Sequence, residues 1–153
     1  MHFRQDGFSY VIVMFLVAIL AIISVRALEV TATAERRDKE AQLLWVGMAF
    51  RNAIAQYHKG TPGEAKAYPE NLEALLYDER HTNPDRPLRK LYRDPMTGSP
   101  DWGLVRNGKG AVIGVYSLSQ DRPAKKGGFP PELASFAGAQ RYSDWKFVYQ
   151  SEK

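Results

Sequence analysis

The hydrophobic and polar positions divide the chain into three parts, and the first is almost wholly apolar. From Phe8 to Val25 no residue is charged, and only two serines interrupt the apolar side chains. At about 1.5 Å of rise per residue, a helix of this length covers roughly 27 Å, which is close to the thickness of the bilayer hydrocarbon. The pattern therefore predicts a membrane-spanning helix near the N-terminus.

The second part predicts a continuation of the same helix with one buried face. No proline or glycine occurs between the apolar stretch and Gly47, and residues 35–40 are a mixed-charge run of good helix formers that is expected to face solvent. One helix is therefore expected from about Phe8 to His58, before the breaker cluster at 60–63. Apolar residues recur at a spacing of three or four in a stripe made of Leu43, Val46, Phe50, Ala53, Ile54 and Tyr57.

The third part consists of short runs separated by turns. A short second helix is expected over 68–76, since a proline lies in its first turn and acidic residues lie near its start. Two apolar runs, at 102–106 and 111–118, flank Asn107-Gly108, which is a strong β-hairpin signal. A last strand at 145–149 places three aromatic side chains on one face. These runs predict a three-stranded antiparallel sheet whose apolar face is covered by the helix stripe.

The apolar stretch allows two interpretations. Ala32-Thr33-Ala34 is of the A-x-A type that signal peptidase cleaves, which would make the stretch a removed secretory signal. However, Arg26 and Glu29 lie between the stretch and that sequence, and the stretch exceeds the about 7–15 residues of a typical signal core. A permanent anchor is favoured.

The short hydrophilic leader ending in Gly7, with Phe8 at the head of an apolar helix, resembles the N-terminus of type IV pilins and type II secretion pseudopilins. The resemblance implies that a prepilin peptidase cuts between Gly7 and Phe8 and methylates the new amine of Phe8. It also implies an α+β, pilin-like fold, in which a long N-terminal helix packs on a small antiparallel β-sheet. Ile12 stands where the family usually has a glutamate that is thought to pair with a neighbouring subunit's amine.

With this resemblance, four segments are expected along the chain. They are a prepilin-type leader at 1–7, a transmembrane segment at 8–28, an amphipathic continuation of the helix at 29–58 and a periplasmic globular domain at 59–153. The resemblance implies a single-pass protein of the inner membrane whose C-terminal domain lies in the periplasm. Its partners would be other pilins or pseudopilins, the prepilin peptidase and the inner-membrane assembly platform.

The function implied is that of a non-enzymatic subunit or accessory of a type II secretion or related type IV pilus machine. Because Ile12 cannot supply a carboxylate to a neighbour's amine, a minor or tip component is a better fit than a repeating subunit. An equally open explanation is that Ile12 is one more lipid-facing residue of the anchor. Two alternatives stay open. One is a signal-anchored periplasmic protein that binds a partner outside any fibre, and the other is a minor pilin of a DNA-uptake or adhesion pilus.

Composition and motifs add little catalytic chemistry. The chain of 153 residues has no cysteine, which excludes disulfides and thiolate sites, and its net charge of +4 is mildly basic. His2, His58 and His81 lack metal-ligand spacing, and no phosphate-binding or hydrolase motif occurs. Asp94 and Asp101 are expected to cap turns rather than to act as acid and base. No enzymatic activity, cofactor or metal is therefore expected.

Three further features have an unremarkable structural explanation. The late loop at 117–129 has Asp121 as its only acid, so calcium, which needs six or more oxygens, is not expected there. The tryptophans are expected in the core: Trp45, Trp102 and Trp145. A basic cluster is interpreted as a solvated loop diluted by acids rather than as a nucleic-acid contact, and it consists of Arg80, Arg86, Arg89, Lys90 and Arg93.

Overall fold

The computed structural model begins with a helix, α1, that runs from Asp6 to Gly60. The predicted helix is confirmed and is slightly longer at both ends. Thr61 follows the helix and bonds to the carbonyls of its last turn. The Thr61 amide donates to His58 O over 3.4 Å, and the Thr61 hydroxyl donates to Tyr57 O over 3.2 Å. Terminal carbonyls of a helix need such partners, and Pro62 follows directly.

The structure describes the backbone at 6–63, 66–78, 80 and 86–151, and within α1 it does not describe the side chains of 6–8 and 25–30. The chain divides into two compact units, Met1–Arg37 and Asp38–Lys153. The second half of α1 therefore belongs to the same unit as the C-terminal part of the chain.

The second unit contains an antiparallel sheet of three strands, which confirms the predicted sheet. The strands are β1 at Gly103–Arg106, β2 at Val112–Tyr116 and β3 at Phe147–Val148, and β2 lies in the centre. Val115 of β2 lies opposite Leu104 on one side and Phe147 on the other. The protein is thus an α+β protein, with strands shorter than the apolar runs that predicted them.

The hairpin between β1 and β2 is closed by Asn107. Its side-chain Oδ1 accepts hydrogen bonds from the amides of Lys109 and Ala111, at 2.9 and 3.0 Å. The glycine that takes a positive φ, of 82°, is Gly110 rather than Gly108. The hairpin predicted from Asn-Gly is therefore confirmed, but its turn is longer than the two-residue type.

The predicted second helix is reduced to a single 3₁₀ turn at Glu73–Leu75. Leu72 and Leu75 are both buried, and the 3₁₀ conformation aligns side chains that are three positions apart. The Leu75 carbonyl then accepts a hydrogen bond from Leu88 N over 2.9 Å instead of continuing a helix. The packing of the two leucines in the core therefore favours the 3₁₀ turn over the longer helix that was predicted. Two further 3₁₀ segments, at Pro131–Phe136 and Tyr142–Asp144, were not predicted.

The predicted stripe on α1 lies in the core of the second unit. Tyr57 is half-buried, and the other five members are almost fully buried: Leu43, Val46, Phe50, Ala53 and Ile54. They form one cluster with side chains of the sheet, among them Val115 and Phe147. The expectation that the amphipathic half of the helix covers the sheet is therefore confirmed.

Candidate assembly site

The first unit exposes a long apolar surface on α1. Side chains are described from Ser9 to Ser24, and the exposed fraction of the large apolar ones ranges from 45% for Ile12 to 67% for Tyr10. A contiguous apolar surface of this kind is typical of contact with lipid or with another protein. It is the feature from which a candidate assembly site can be built.

One polar side chain of this stretch, Ser24, is hydrogen-bonded within the helix. The Ser24 hydroxyl donates to Leu20 O, one turn earlier, over 2.8 Å. In an apolar environment such a bond removes the cost of an unpaired hydroxyl, and the helix does the same for the backbone. The Ser24 side chain and the helix backbone are therefore suited to apolar surroundings.

Membrane insertion and processing stay predictions. Over the part of the chain that the structure describes, no helix is both long and apolar enough to cross a membrane. The predicted cleavage point between Gly7 and Phe8 falls in the first turn of α1, where the structure does not describe the side chains. Residues 1–5 of the predicted leader lie outside the described residues. Ile12 is exposed and contributes no carboxylate.

In the second unit, Glu40 of α1 holds the late loop. The residue is 3% exposed, and its Oε1 accepts hydrogen bonds from the amides of Ala124 and Lys125, at 2.6 and 3.2 Å. The Tyr142 hydroxyl donates to the same oxygen over 2.8 Å. Because buried polar groups need such partners, Glu40 ties the loop at 117–129 and the 3₁₀ turn at Tyr142 to the helix.

Sequence reasoning missed this role of Glu40. It assigned the whole mixed-charge run at 35–40 to a solvated surface, and this is correct for the exposed residues 35–39 but wrong for Glu40. A signal was available, since Glu40 precedes Leu43 by three positions and therefore lies on the face of the buried stripe.

The carboxylates of the turn at 94–101 have structural roles. Asp94 is fully buried and accepts hydrogen bonds from Met96 N, Thr97 Oγ1 and Ser117 Oγ, at 2.9, 3.0 and 2.7 Å. Asp101 is exposed and accepts one from the Ser99 hydroxyl over 2.7 Å. The predicted turn-capping role is confirmed, with the addition that Asp94 also ties the turn to the end of β2. Among the described residues, no three acidic or histidine side chains are grouped so that they could hold a metal ion.

Arg80 was interpreted as part of a solvated basic loop, and that interpretation is wrong. Its Nε and Nη2 donate to the two oxygens of the buried Asp78, at 2.7 and 2.6 Å. Nη2 also donates to Tyr57 O and Nη1 to Thr61 Oγ1, at 2.9 and 2.8 Å. The hydrogen bond to Asp78 raises the pKa of Arg80. Arg80 therefore caps the C-terminal end of α1.

The other described members of the cluster are exposed, as predicted: Arg86, Arg89, Lys90 and Arg93. One tryptophan departs from the prediction, because Trp45 is 60% exposed whereas Trp102 and Trp145 are buried. Trp45 lies two positions after Leu43, on the opposite side of the helix, so the stripe already indicated its exposure. The size of the side chain led to the wrong expectation.

His58 is the one histidine that falls within the described residues, and its role is structural. The ring is buried and lies 4.2 Å from the Tyr68 ring and 5.8 Å from the Tyr149 ring, measured between centroids. Burial lowers the pKa of His58, and the charge of Lys66 lowers it further. His2 and His81 lie outside the described residues.

An open groove of about 930 Å³ lies between the hairpin turn and the segment at 66–70. Two of the cations that line it form hydrogen bonds with backbone carbonyls. Lys66 Nζ donates to two carbonyl oxygens at the end of α1, at 3.1 and 3.0 Å. Arg106 Nη1 donates to Glu70 O and Gly110 O, at 3.1 and 2.6 Å. The groove is thus a place where backbone segments are joined, and its described residues form no nucleophile–base pair.

Comparison with known proteins finds no counterpart: no family model, no curated protein and no solved structure matches the chain. The candidate assembly site is therefore defined by the chain's own residues. It comprises the exposed apolar stretch of α1 at 9–24 with Gly7, Phe8 and Ile12 at its head.

Proposed function

We propose that the protein is a pseudopilin-like subunit or accessory of a type II secretion or related type IV pilus machine. In this proposal, residues 8–28 anchor it in the inner membrane and its C-terminal domain lies in the periplasm. The observation that carries the proposal is the two-part character of α1. Its residues 9–24 are apolar and exposed, whereas its residues 43–57 present the stripe that covers a three-stranded sheet.

The polar clusters of the second unit support a non-catalytic role. Three sets of residues bond to other groups of the same chain and so join its elements: Glu40, Asp94 and the Asp78–Arg80 pair. A catalytic carboxylate needs access to a substrate, and these three carboxylates are buried. The proposed partners are accordingly proteins of the same machine rather than a small-molecule substrate.

Ile12 supports a minor or tip position within such a machine. A buried N-terminal amine costs several kcal/mol unless a counter-charge is close, and Ile12 offers none to a neighbouring subunit. The same observation favours the alternative of a signal-anchored periplasmic protein outside any fibre. The two are separated by whether the chain is processed at Gly7.

The intact mass of the protein extracted from its membrane tests the proposal. We expect a chain that starts at Phe8 and carries one added methyl group. Gly7→Val should leave the full-length chain in the membrane, whereas Ala21→Val, a matched change within the apolar stretch, should not alter processing. A mature chain that starts at Glu35 would overturn the proposal, because signal peptidase would then have removed the apolar stretch.

A further inference from the structure

The second unit carries one exposed surface that combines aromatic, apolar and basic side chains. Trp45 is 60% exposed and Leu91 is 36% exposed, and the Tyr92 ring beside them is half-buried. Three exposed cations belong to the same segment of chain. This surface is called the Trp45 patch, and its members are Trp45, Arg89, Lys90, Leu91, Tyr92 and Arg93.

The aromatic part of the patch is fixed by contacts with neighbouring rings, one of which is buried in the core. The Trp45 ring meets the Tyr92 ring edge-on, with 5.2 Å between centroids, and Tyr92 in turn meets the buried Phe50 ring at 6.3 Å. The backbone is fixed as well, because Trp102 Nε1 donates to Tyr92 O over 2.8 Å. A large side chain that is already ordered loses little conformational entropy when a partner covers it.

The charges of the patch are not neutralised by the described residues. Lys90 Nζ lies 5.3 Å from the centre of the Tyr92 ring, and Arg93 Nη1 donates to Gly98 O over 3.1 Å. None of Arg89, Lys90 and Arg93 forms an ion pair within the part of the chain that the structure describes. Lys90 therefore places positive charge beside the ring that Trp45 contacts, and Arg89 and Arg93 are exposed cations of the same short segment.

We propose that the Trp45 patch docks an acidic segment of another protein, in which an apolar side chain that contacts Trp45 is flanked by carboxylates that pair with Arg89 and Arg93. Trp, Tyr and Arg are the residues that most often dominate binding at protein interfaces. The arginine fork matches a carboxylate with two parallel hydrogen bonds. This inference depends on neither a membrane anchor nor a fibre.

The fixed geometry of the patch favours a protein over a lipid surface. Segments that bind anionic lipid through charge usually carry about four to eight lysines or arginines and are flexible. The aromatic centre of the patch, in contrast, is fixed by Tyr92 and Phe50. A fixed aromatic group with two arginines at hand suits a partner of defined shape and negative charge.

Photo-crosslinking of the full-length protein in its own cell tests the inference. p-Benzoylphenylalanine replaces Trp45 or, for comparison, Lys109 in the exposed hairpin turn. We expect a protein adduct from position 45 and none from position 109, with the crosslinked peptide of the partner, identified by mass spectrometry, containing acidic and apolar residues. Charge reversal by Arg89→Glu with Arg93→Glu should lower the yield of the adduct at least about tenfold.

The control for charge is Lys109→Glu with Lys126→Glu, which changes the net charge equally at exposed positions away from the patch. It should leave the adduct unchanged. Lysines placed at the acidic residues of the identified partner segment should restore the adduct to the Arg89→Glu, Arg93→Glu protein. An adduct with lipid or with a second copy of the chain, an adduct insensitive to charge reversal, or no adduct at position 45 would each overturn the inference.

Discussion

The ring of Phe147 in β3 lies directly against the backbone of α1 at Gly47, and a Cβ atom at this helical position would overlap it. A glycine inside a helix costs about 0.5–1 kcal/mol relative to alanine. Here its lack of a side chain lets an aromatic ring of the sheet approach the helix backbone, so that the stripe on both sides of Gly47 is brought into the core. The contact shows how closely the helix covers the sheet.

Gly47→Ala is therefore expected to destabilise the second unit, although alanine is the better helix former. Overpacking of a core costs about 1–3 kcal/mol, which exceeds the gain of about 1 kcal/mol from helix propensity. Chemical denaturation gives the free energy of unfolding. Gly127→Ala is the control, because a Cβ there meets no other atom. A more stable Gly47→Ala protein would show that the ring can move away at no cost.

Two shortened chains test whether the stripe on α1 is needed for the second unit to fold. A chain that starts at Thr33 retains the stripe and is expected to be soluble and folded. A chain that starts at His58 loses side chains such as Phe50 and Ile54, each worth about 1.5–3 kcal/mol when buried, against a total stability of about 5–15 kcal/mol. It should be unfolded by near-UV circular dichroism. A cooperative thermal transition of the shorter chain would contradict the packing described here.

Removal of the Glu40 carboxylate should release the late loop. Glu40→Ala leaves two amides and the Tyr142 hydroxyl without their acceptor, and a single unsatisfied buried group costs about 1–3 kcal/mol. We expect lower stability and faster tryptic cleavage at Lys125 and Lys126. Tyr142→Phe removes one of the three bonds and should have a smaller effect, and Asp38→Ala, at an exposed position of the same helix, should have none. Equal cleavage rates in all four proteins would exclude this role of Glu40.

Burial of His58 should make the protein less stable in mild acid. Because the pKa of His58 is lower in the folded protein than in the unfolded chain, the unfolded chain binds the proton more readily. The free energy of unfolding contributed by this group is complete above the ordinary pKa of about 6.5 and falls as the pH drops below it. The decrease between pH 7.5 and pH 5 should be smaller in His58→Phe. Equal decreases in the two proteins would show that His58 is accessible to protons when folded.

Ile12 leads to an expectation about assembly. Produced together with the prepilin peptidase and the assembly machinery but without other subunits, the protein should form no long fibres, because it supplies no carboxylate for a neighbour's amine. Ile12→Glu should improve polymerisation as seen by electron microscopy, and Val13→Glu, one position away on the helix, should not. Long homopolymeric fibres of the unaltered chain would show that Ile12 does not limit assembly.

The elements whose signals are local could be predicted. The stripe from Leu43 to Tyr57 and the hairpin at Asn107 follow from spacing and turn chemistry within a few residues, and both were found as expected. The second helix was overestimated, because the burial of Leu72 and Leu75 is a tertiary effect that outweighs local propensity.

The roles of individual polar residues depended on parts of the chain that are far apart in sequence. The partners of Glu40 lie 84, 85 and 102 positions further on, and Arg80 bonds to groups 19 and 23 positions before it. The helical spacing places Glu40 on the buried face but does not show which groups its carboxylate bonds, and no local pattern distinguishes Arg80 from a solvated charge. The sequence by itself determined the apolar stretch, the buried stripe and the sheet, because periodicity decides which face is apolar. Only the tertiary structure decided which groups the buried charges bond to, because burial of a polar group requires hydrogen-bond partners that folding alone brings together.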